Sequence, residues 1–364
     1  MLVVSALVAR RAVLLGPLPP GLDGGQWLAI GRGLLGGEGR STPGAYAPLV
    51  PLMAASLAGL LDPIAAVRLV ALGSYLFVVV ASAVAAGSMF GAISGAAVAA
   101  AVGSAGAVNE PLAFGGYPQQ VALAALIVAG WAAARLCWVD GDERQGLWLL
   151  GAGLAVAALA HHVYYPLTLA VVGCICGLAL LARSSVVRTV VVRIAAVSAA
   201  STLLALPTLV TFLRVGYAPP LDAVALSVVG AWGYGTREAP IFWLGTIMAG
   251  AAALLLTPGG SRGSAWTFAG AALTIGGASF LLSGEPRMLP VLLVGGLFGV
   301  ASGLRLTLDG PHPQPPVSVA RERGVRRLRS GLPAVVVVLI AALLVLPGDR
   351  ATRDYLDFYR VLDP

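Results

Sequence analysis

The chain has 364 residues, of which 58% are hydrophobic before its 47 glycines are counted, and only 11% are charged, with a mean hydropathy of +0.90. Soluble domains carry about 25% charged residues, so these few charges cannot clothe a water-facing surface and a soluble globule is excluded. The net charge of +7 comes from 23 arginines and no lysine; in so apolar a chain it reads as loop bias of a membrane protein and not as a nucleic-acid footprint.

At about 20 residues per crossing, the length accommodates about eleven helices. Residues 1–19 form an apolar run interrupted by Arg10 and Arg11. The basic pair lies inside the run and no clean cleavage site follows, so this is a poor first span or the remnant of a longer one, not a signal peptide. A polar, glycine-rich loop covers 20–47. Residues 48–62 are apolar but reach only about 20 Å at 1.5 Å per residue, short of the roughly 30 Å hydrocarbon core. A re-entrant or interfacial helix is expected there. Spans are expected at 63–86, 89–108, 118–138, 146–161, 164–182, 194–213, 241–257, 265–283, 289–308 and 332–347.

The arginines fix the orientation. With residue 1 inside, the loops after 86, 138, 182, 257 and 308 and their flanks hold 12 arginines against five acids, and the other face holds nine arginines against 11 acids. If 48–62 crossed, the cluster Arg321 to Arg329 would face outward, against the positive-inside bias. That cluster reads as a topology anchor that attracts anionic headgroups. The expected organisation is a transmembrane module over 1–213 with an extracytoplasmic loop at 20–62, a second module over 214–347 with an arginine-rich cytoplasmic loop at 309–331, and an extracytoplasmic tail at 348–364. The mixed Asp, Arg and Tyr content of that tail suits a short interfacial helix or the start of a further domain.

Cys137, Cys174 and Cys176 sit in apolar runs and encode neither a disulfide framework nor a metal cluster. The pairs Gly91/Gly95, Gly173/Gly177 and Gly295/Gly299 are expected to serve helix packing. No tandem or inverted repeat is evident.

Polar residues collect on the outer face. They include Asp23, Gln26, Trp27, Arg32, Glu38, Arg40 and Tyr46 in the first loop, and Asn109, Glu110, Tyr117, Gln119 and Gln120 further on. His161, His162, Tyr164 and Tyr165 occupy the next outer turn. Asp222, Tyr234, Arg237 and Glu238 lie in the loop 214–240, and Glu285 and Arg287 in a short loop between two spans.

Asp23, in PPGLDGGQW, follows helix-stopping prolines at the membrane exit. It is a helix N-cap, a general base toward an acceptor hydroxyl, or both. Arg287 is held near the headgroup plane, and arginine stays charged there and forks onto phosphate oxygens; Arg237 is a second candidate. Adjacent His161 and His162 diverge by about 100° on a helix and lack a third ligand, so with Tyr164 and Tyr165 they suit a sugar or phosphate contact, or an aromatic belt.

The string Tyr46, Pro48, Leu49, Pro51, Leu52, the short helix after it, and Ala66, Arg68, Leu69 opening the next span resemble the amino-terminal module of the GT-C-fold glycosyltransferases, polytopic enzymes using polyprenyl-phosphate sugars. Glu110 in NEPLAFGGYPQQ is similar to that family's second acidic position, and Glu285 to Pro290 to its Arg-Tyr-x-x-Pro element, with Met288 in place of the aromatic. The first acidic site is a lone Asp23 where an acidic pair is usual.

The resemblance implies an all-α polytopic transmembrane protein of about 11 helices, GT-C-like, with juxtamembrane helices in the first extracytoplasmic loop, in a bacterial plasma (inner) membrane. It implies an inverting transfer of a sugar from a polyprenyl-phosphate donor to a glycan, lipid or protein acceptor. Asp23 and Glu110 would be catalytic, and Arg287, Arg237, His161, His162, Tyr164, Tyr165, Tyr117 and Gln119 would bind substrate. Membrane lipids are the other expected partners, and nucleic acid is not one. No cofactor is required by the sequence; a divalent cation, Mg or Mn, at Asp23 and Glu110 is left open. The competing reading is a non-catalytic GT-C-like scaffold or lipid-binding pseudoenzyme. A transporter is disfavoured, because the spans carry almost no ionisable residue at mid-depth.

Overall fold

Helices form where the apolar runs lie, and their ends fall at chemically legible residues. The computed structural model describes residues 24–36, 46–105, 108, 111, 115–138, 142–182, 187–215, 240–256, 263–283 and 288–309. Among these the chain has eleven helices and no strand: α1 (Gly24–Leu34), α2 (Leu49–Ala58), α3 (Pro63–Phe90), α4 (Ala92–Ser104), α5 (Tyr117–Trp138), α6 (Glu143–Ala160), α7 (Tyr164–Ala182), α8 (Val187–Val215), α9 (Pro240–Leu256), α10 (Ser264–Ser283) and α11 (Leu289–Asp309). The expected spans at 1–19 and 332–347, the loop residues 216–239, the cluster Arg321 to Arg329 and the tail 348–364 lie outside the described residues.

Five described helices, α3, α5, α7, α8 and α10, are long and apolar enough to cross a membrane. Their outward faces carry large apolar side chains, with Leu181 88% and Leu282 86% exposed. Surface of that kind is stable against lipid and not against water. The chain is a multi-pass membrane protein. At its centre stands α5, almost wholly buried, with α3, α6, α7 and α10 packed around it.

Two short helices precede the first described crossing. A Cβ on Gly31 of α1 would drive into the Pro51 carbonyl of α2, so glycine is what permits the two helices to pack backbone to backbone. With ten residues, α2 is about 15 Å long, too short to cross, as its sequence predicts. The long helix α3 then starts at a strong N-cap. The Asp62 carboxylate accepts from the amides of Ile64 (2.9 Å) and Ala65 (3.2 Å), and Pro63 occupies the first helical position.

The helix expected at 89–108 is present but divided, ending at Ser104. The chain turns at Gly91, whose φ of 92° is a left-handed value that favours glycine. It returns antiparallel to α3 as α4, which has only 13 residues, about 20 Å. Gly103, near the end of α4, lies against Val79 and Tyr75, partway along α3, and Ala105 is already extended (φ −66°, ψ 130°). The helix is therefore broken at Ala105, and Val108 and Pro111 beyond it are helical again. Hydropathy does not reveal such a break, because Ala, Gly and Val are as apolar in extended chain as in a helix.

Of the glycine pairs, Gly295/Gly299 packs as expected: Gly295 meets Leu273 of α10 and Gly299 meets Gly250 of α9. Gly173 and Gly177 are a correction, since nothing lies within 4 Å of a Cβ at either position. They lie on the exposed side of α7.

Candidate functional site

Where a helix breaks inside an apolar bundle, the freed backbone groups need partners. At the end of α4 and in the chain between α4 and α5, side chains from three different elements supply them. Tyr75 Oη of α3 donates to the Gly103 carbonyl (2.8 Å), Gln120 Nε2 of α5 to the Val108 carbonyl (2.9 Å), and Trp27 Nε1 of α1 to the Gly115 carbonyl (2.6 Å). Gln120 is itself anchored: its Oε1 accepts from Ser74 Oγ at 2.8 Å, and Ser74 also reaches the Ala71 carbonyl. Ser74, Tyr75, Gln120 and Val108 are all buried. Trp27 packs edge-on against Tyr46, centroids 5.5 Å apart, which fixes α1 over this spot.

A second cluster adjoins the first. The turn between α6 and α7 presents His161, whose Nδ1 accepts from the amides of Val163 (3.2 Å) and Tyr164 (3.4 Å) and so caps α7. That acceptor role places the ring proton on Nε2. His162 stacks on His161 (5.0 Å, 22°), and Tyr164 meets it edge-on at 5.4 Å. Gln119 Nε2 of α5 donates to Tyr164 Oη at 3.3 Å, so the first turns of α5 and α7 lie side by side. The positive ends of two helix dipoles meet there, an arrangement that favours a bound anion.

Of the residues singled out in the sequence, Gln119, His161, His162 and Tyr164 come together here. Tyr165 does not join them; its hydroxyl turns to Ser201 (2.9 Å) and Thr202 (2.8 Å) of α8 and ties α7 to that helix. Tyr117 is fully buried at the head of α5. Asp23, Glu110, Arg237 and Arg287 lie outside the described residues. For Asp23, Glu110 and Arg287 a sequence neighbour is described. Gly24, next to Asp23, is buried at the start of α1, and Met288, next to Arg287, is buried at the head of α11. Trp27 binds Gly115, five residues after Glu110, so the helix that follows Asp23 is fastened to the segment that contains Glu110. Among the described residues no three His, Cys, Asp or Glu side chains gather as metal ligands.

Sequence reasoning missed the groups that hold this region. Ser74 and Tyr75 lie inside an apolar run, and Gln120 and Trp27 read from the sequence only as outer-face polarity. The signal for Ser74 and Gln120 was available, since a hydrogen-bonding side chain at membrane depth requires a partner.

No family model and no curated protein sequence matches the chain. Its structure is similar to two crystal structures of ArnT from Cupriavidus metallidurans. The apo form is 16% identical with a TM-score of 0.61, and the form bound to undecaprenyl phosphate is 15% identical with a TM-score of 0.60; each alignment covers 99% of this chain and 77% of ArnT. ArnT is a GT-C glycosyltransferase. The chain has the GT-C fold.

Proposed function

We propose that this chain is a GT-C-type glycosyltransferase of a bacterial plasma membrane, which moves a sugar from a polyprenyl-phosphate donor to an acceptor on the extracytoplasmic side. The observation that carries the reading is the interrupted return between α4 and α5, held at one end of an apolar bundle by Tyr75, Gln120 and Trp27. The GT-C fold, and the undecaprenyl phosphate bound by the structurally similar ArnT, give that region a substrate class.

In this reading the carrier enters laterally from lipid. Its phosphate lies against Arg287 and Arg237, within the field of the α5 and α7 N-termini. Asp23 takes the proton of an acceptor hydroxyl, whose oxygen bonds to the anomeric carbon from the face opposite the phosphate. The bond from that carbon to the phosphate oxygen breaks with inversion, and polyprenyl phosphate leaves with its charge met by the arginines. Glu110 is the second carboxylate of the site, and His161, His162, Tyr164, Tyr117 and Gln119 contact or shape the sugar pocket, while Tyr165 ties α7 to α8 behind them. The acceptor is a glycan, a lipid or a protein.

The test is single-turnover transfer by purified protein with a panel of polyprenyl-phosphate hexoses and pentoses, reading release of polyprenyl phosphate. Asp23→Asn is expected to lose about a hundredfold or more in rate while retaining carrier binding. Transfer by Asp23→Asn at the wild-type rate, or no release from any donor in the panel, overturns the assignment.

A further inference from the structure

At the far end of α6 from His161, α6 and α8 enclose a groove of about 630 Å³, a volume in the range of small-ligand sites, about 300 to 1,000 Å³. Since α6 has 18 residues, the groove mouth lies about 25 Å from His161, at the opposite membrane face. This is the face where the arginine surplus of the sequence is expected.

The mouth is charged on both sides and balanced. Asp142, Glu143 and Arg144 come from the start of α6, and Arg193 from α8. Arg193 Nη1 donates to Glu143 Oε1 at 2.6 Å, with both side chains well exposed. Asp142 uses Oδ1 to cap α6, accepting from the amides of Arg144 (3.0 Å) and Gln145 (3.3 Å). Among the described residues no ion pair engages the Arg144 guanidinium.

Beyond the mouth the groove becomes apolar. Trp148, 70% exposed, forms one wall, at the depth where amphipathic aromatics sit in a bilayer. Val197 of α8 forms the other, and Gly151 the floor, where an added Cβ would stand 3.4 Å from Val197. A charged mouth at the interface leading into an apolar slot open to lipid has the polarity profile of a phospholipid.

The charge pattern selects the headgroup. Two cations and two carboxylates give no net preference for an anionic lipid. They suit a headgroup carrying both a phosphate and an ammonium with N–H donors. A quaternary choline has no N–H to give, and a glycerol headgroup has no cation. We propose that this groove binds phosphatidylethanolamine, with phosphate on Arg144 and the outer edge of Arg193, ammonium on Asp142 and Glu143, and one acyl chain along Trp148 over Gly151. The site is separate from the one assigned to glycosyl transfer and stands or falls independently of it.

Native mass spectrometry of the intact, detergent-purified protein tests this, with phosphatidylethanolamine, phosphatidylcholine and phosphatidylglycerol of matched chains added in turn. Retention of phosphatidylethanolamine should exceed that of the other two by about fivefold, the scale of one partly exposed charge-assisted contact. Arg144→Ala should remove that preference, and Gly151→Leu should lower retention of phosphatidylethanolamine by filling the slot while leaving all four charged groups in place. Both substitutions raise helix propensity at helix positions, and thermal melts of the two variants verify that each is folded. Equal retention of the three lipids, a preference for phosphatidylglycerol, or retention unchanged in both variants overturns the proposal.

Discussion

Replacing Gln120 with leucine is expected to loosen the connection between α4 and α5 while leaving the bundle intact. Leucine keeps the approximate volume of glutamine, so packing around α5 changes little. What is lost is the 2.9 Å bond to the Val108 carbonyl and the 2.8 Å bond from Ser74. Ser74 falls back on the Ala71 carbonyl, to which it is already bonded at 2.8 Å. The Val108 carbonyl loses its Gln120 donor, in a residue only 1% exposed. A buried acceptor left without a partner costs about 1 to 3 kcal/mol, and polar contacts between membrane helices measure about 0.6 to 1.7 kcal/mol. A local destabilisation of about 1 to 2 kcal/mol follows, which raises amide exchange in 105–116 by about five- to thirtyfold. Hydrogen exchange in detergent reads this directly, with α6 and α10 as internal controls. Unchanged exchange in 105–116, or an equal rise throughout α6 and α10, would refute the assignment of Gln120 as the tether of this segment.

Trp27→Phe keeps the ring against Tyr46 but removes the indole N–H that holds the Gly115 carbonyl; α1 should become more accessible to limited proteolysis, with a cost of about 1 kcal/mol and little change in the melting temperature of the bundle. His161→Ala removes the cap of α7 and should cost about 1 kcal/mol, while His161→Asn, a preferred N-cap residue, should recover most of it; equal stability of the two variants in thermal melts would show that His161 caps nothing.

The fold was legible where a rule of length or charge applied. An apolar run at 48–62 that reaches only about 20 Å cannot cross a bilayer, and the short helix α2 lies there. The region 89–108 is Ala, Gly and Val throughout most of its length, so nothing in its hydropathy announces that the helix stops near Ser104. What stops it is tertiary: Tyr75, far away in sequence, takes the Gly103 carbonyl. Similarly, Gly173 and Gly177 have the spacing of a packing motif, but whether a partner helix comes near depends on the arrangement of the bundle, and there none does. In the candidate site, His161, His162, Tyr164 and Gln119 were found because polar residues at the ends of apolar runs are conspicuous. Tyr165 looked equivalent to Tyr164, yet one residue along a helix turns a side chain by about 100°, and its hydroxyl meets α8 instead.

The central claim, that the interrupted return and the head of α7 border a site for a polyprenyl-phosphate carrier, is tested most directly by photocrosslinking. Undecaprenyl phosphate bearing a diazirine on the isoprene unit nearest the phosphate is added to the purified protein, and adducts are mapped by peptide mass spectrometry. The account predicts adducts within 105–120, 161–165 and 285–290 that disappear when unlabelled undecaprenyl phosphate competes. Adducts confined to the lipid-facing surface of α8 or to the groove at Trp148, or labelling that does not respond to competition, would contradict it.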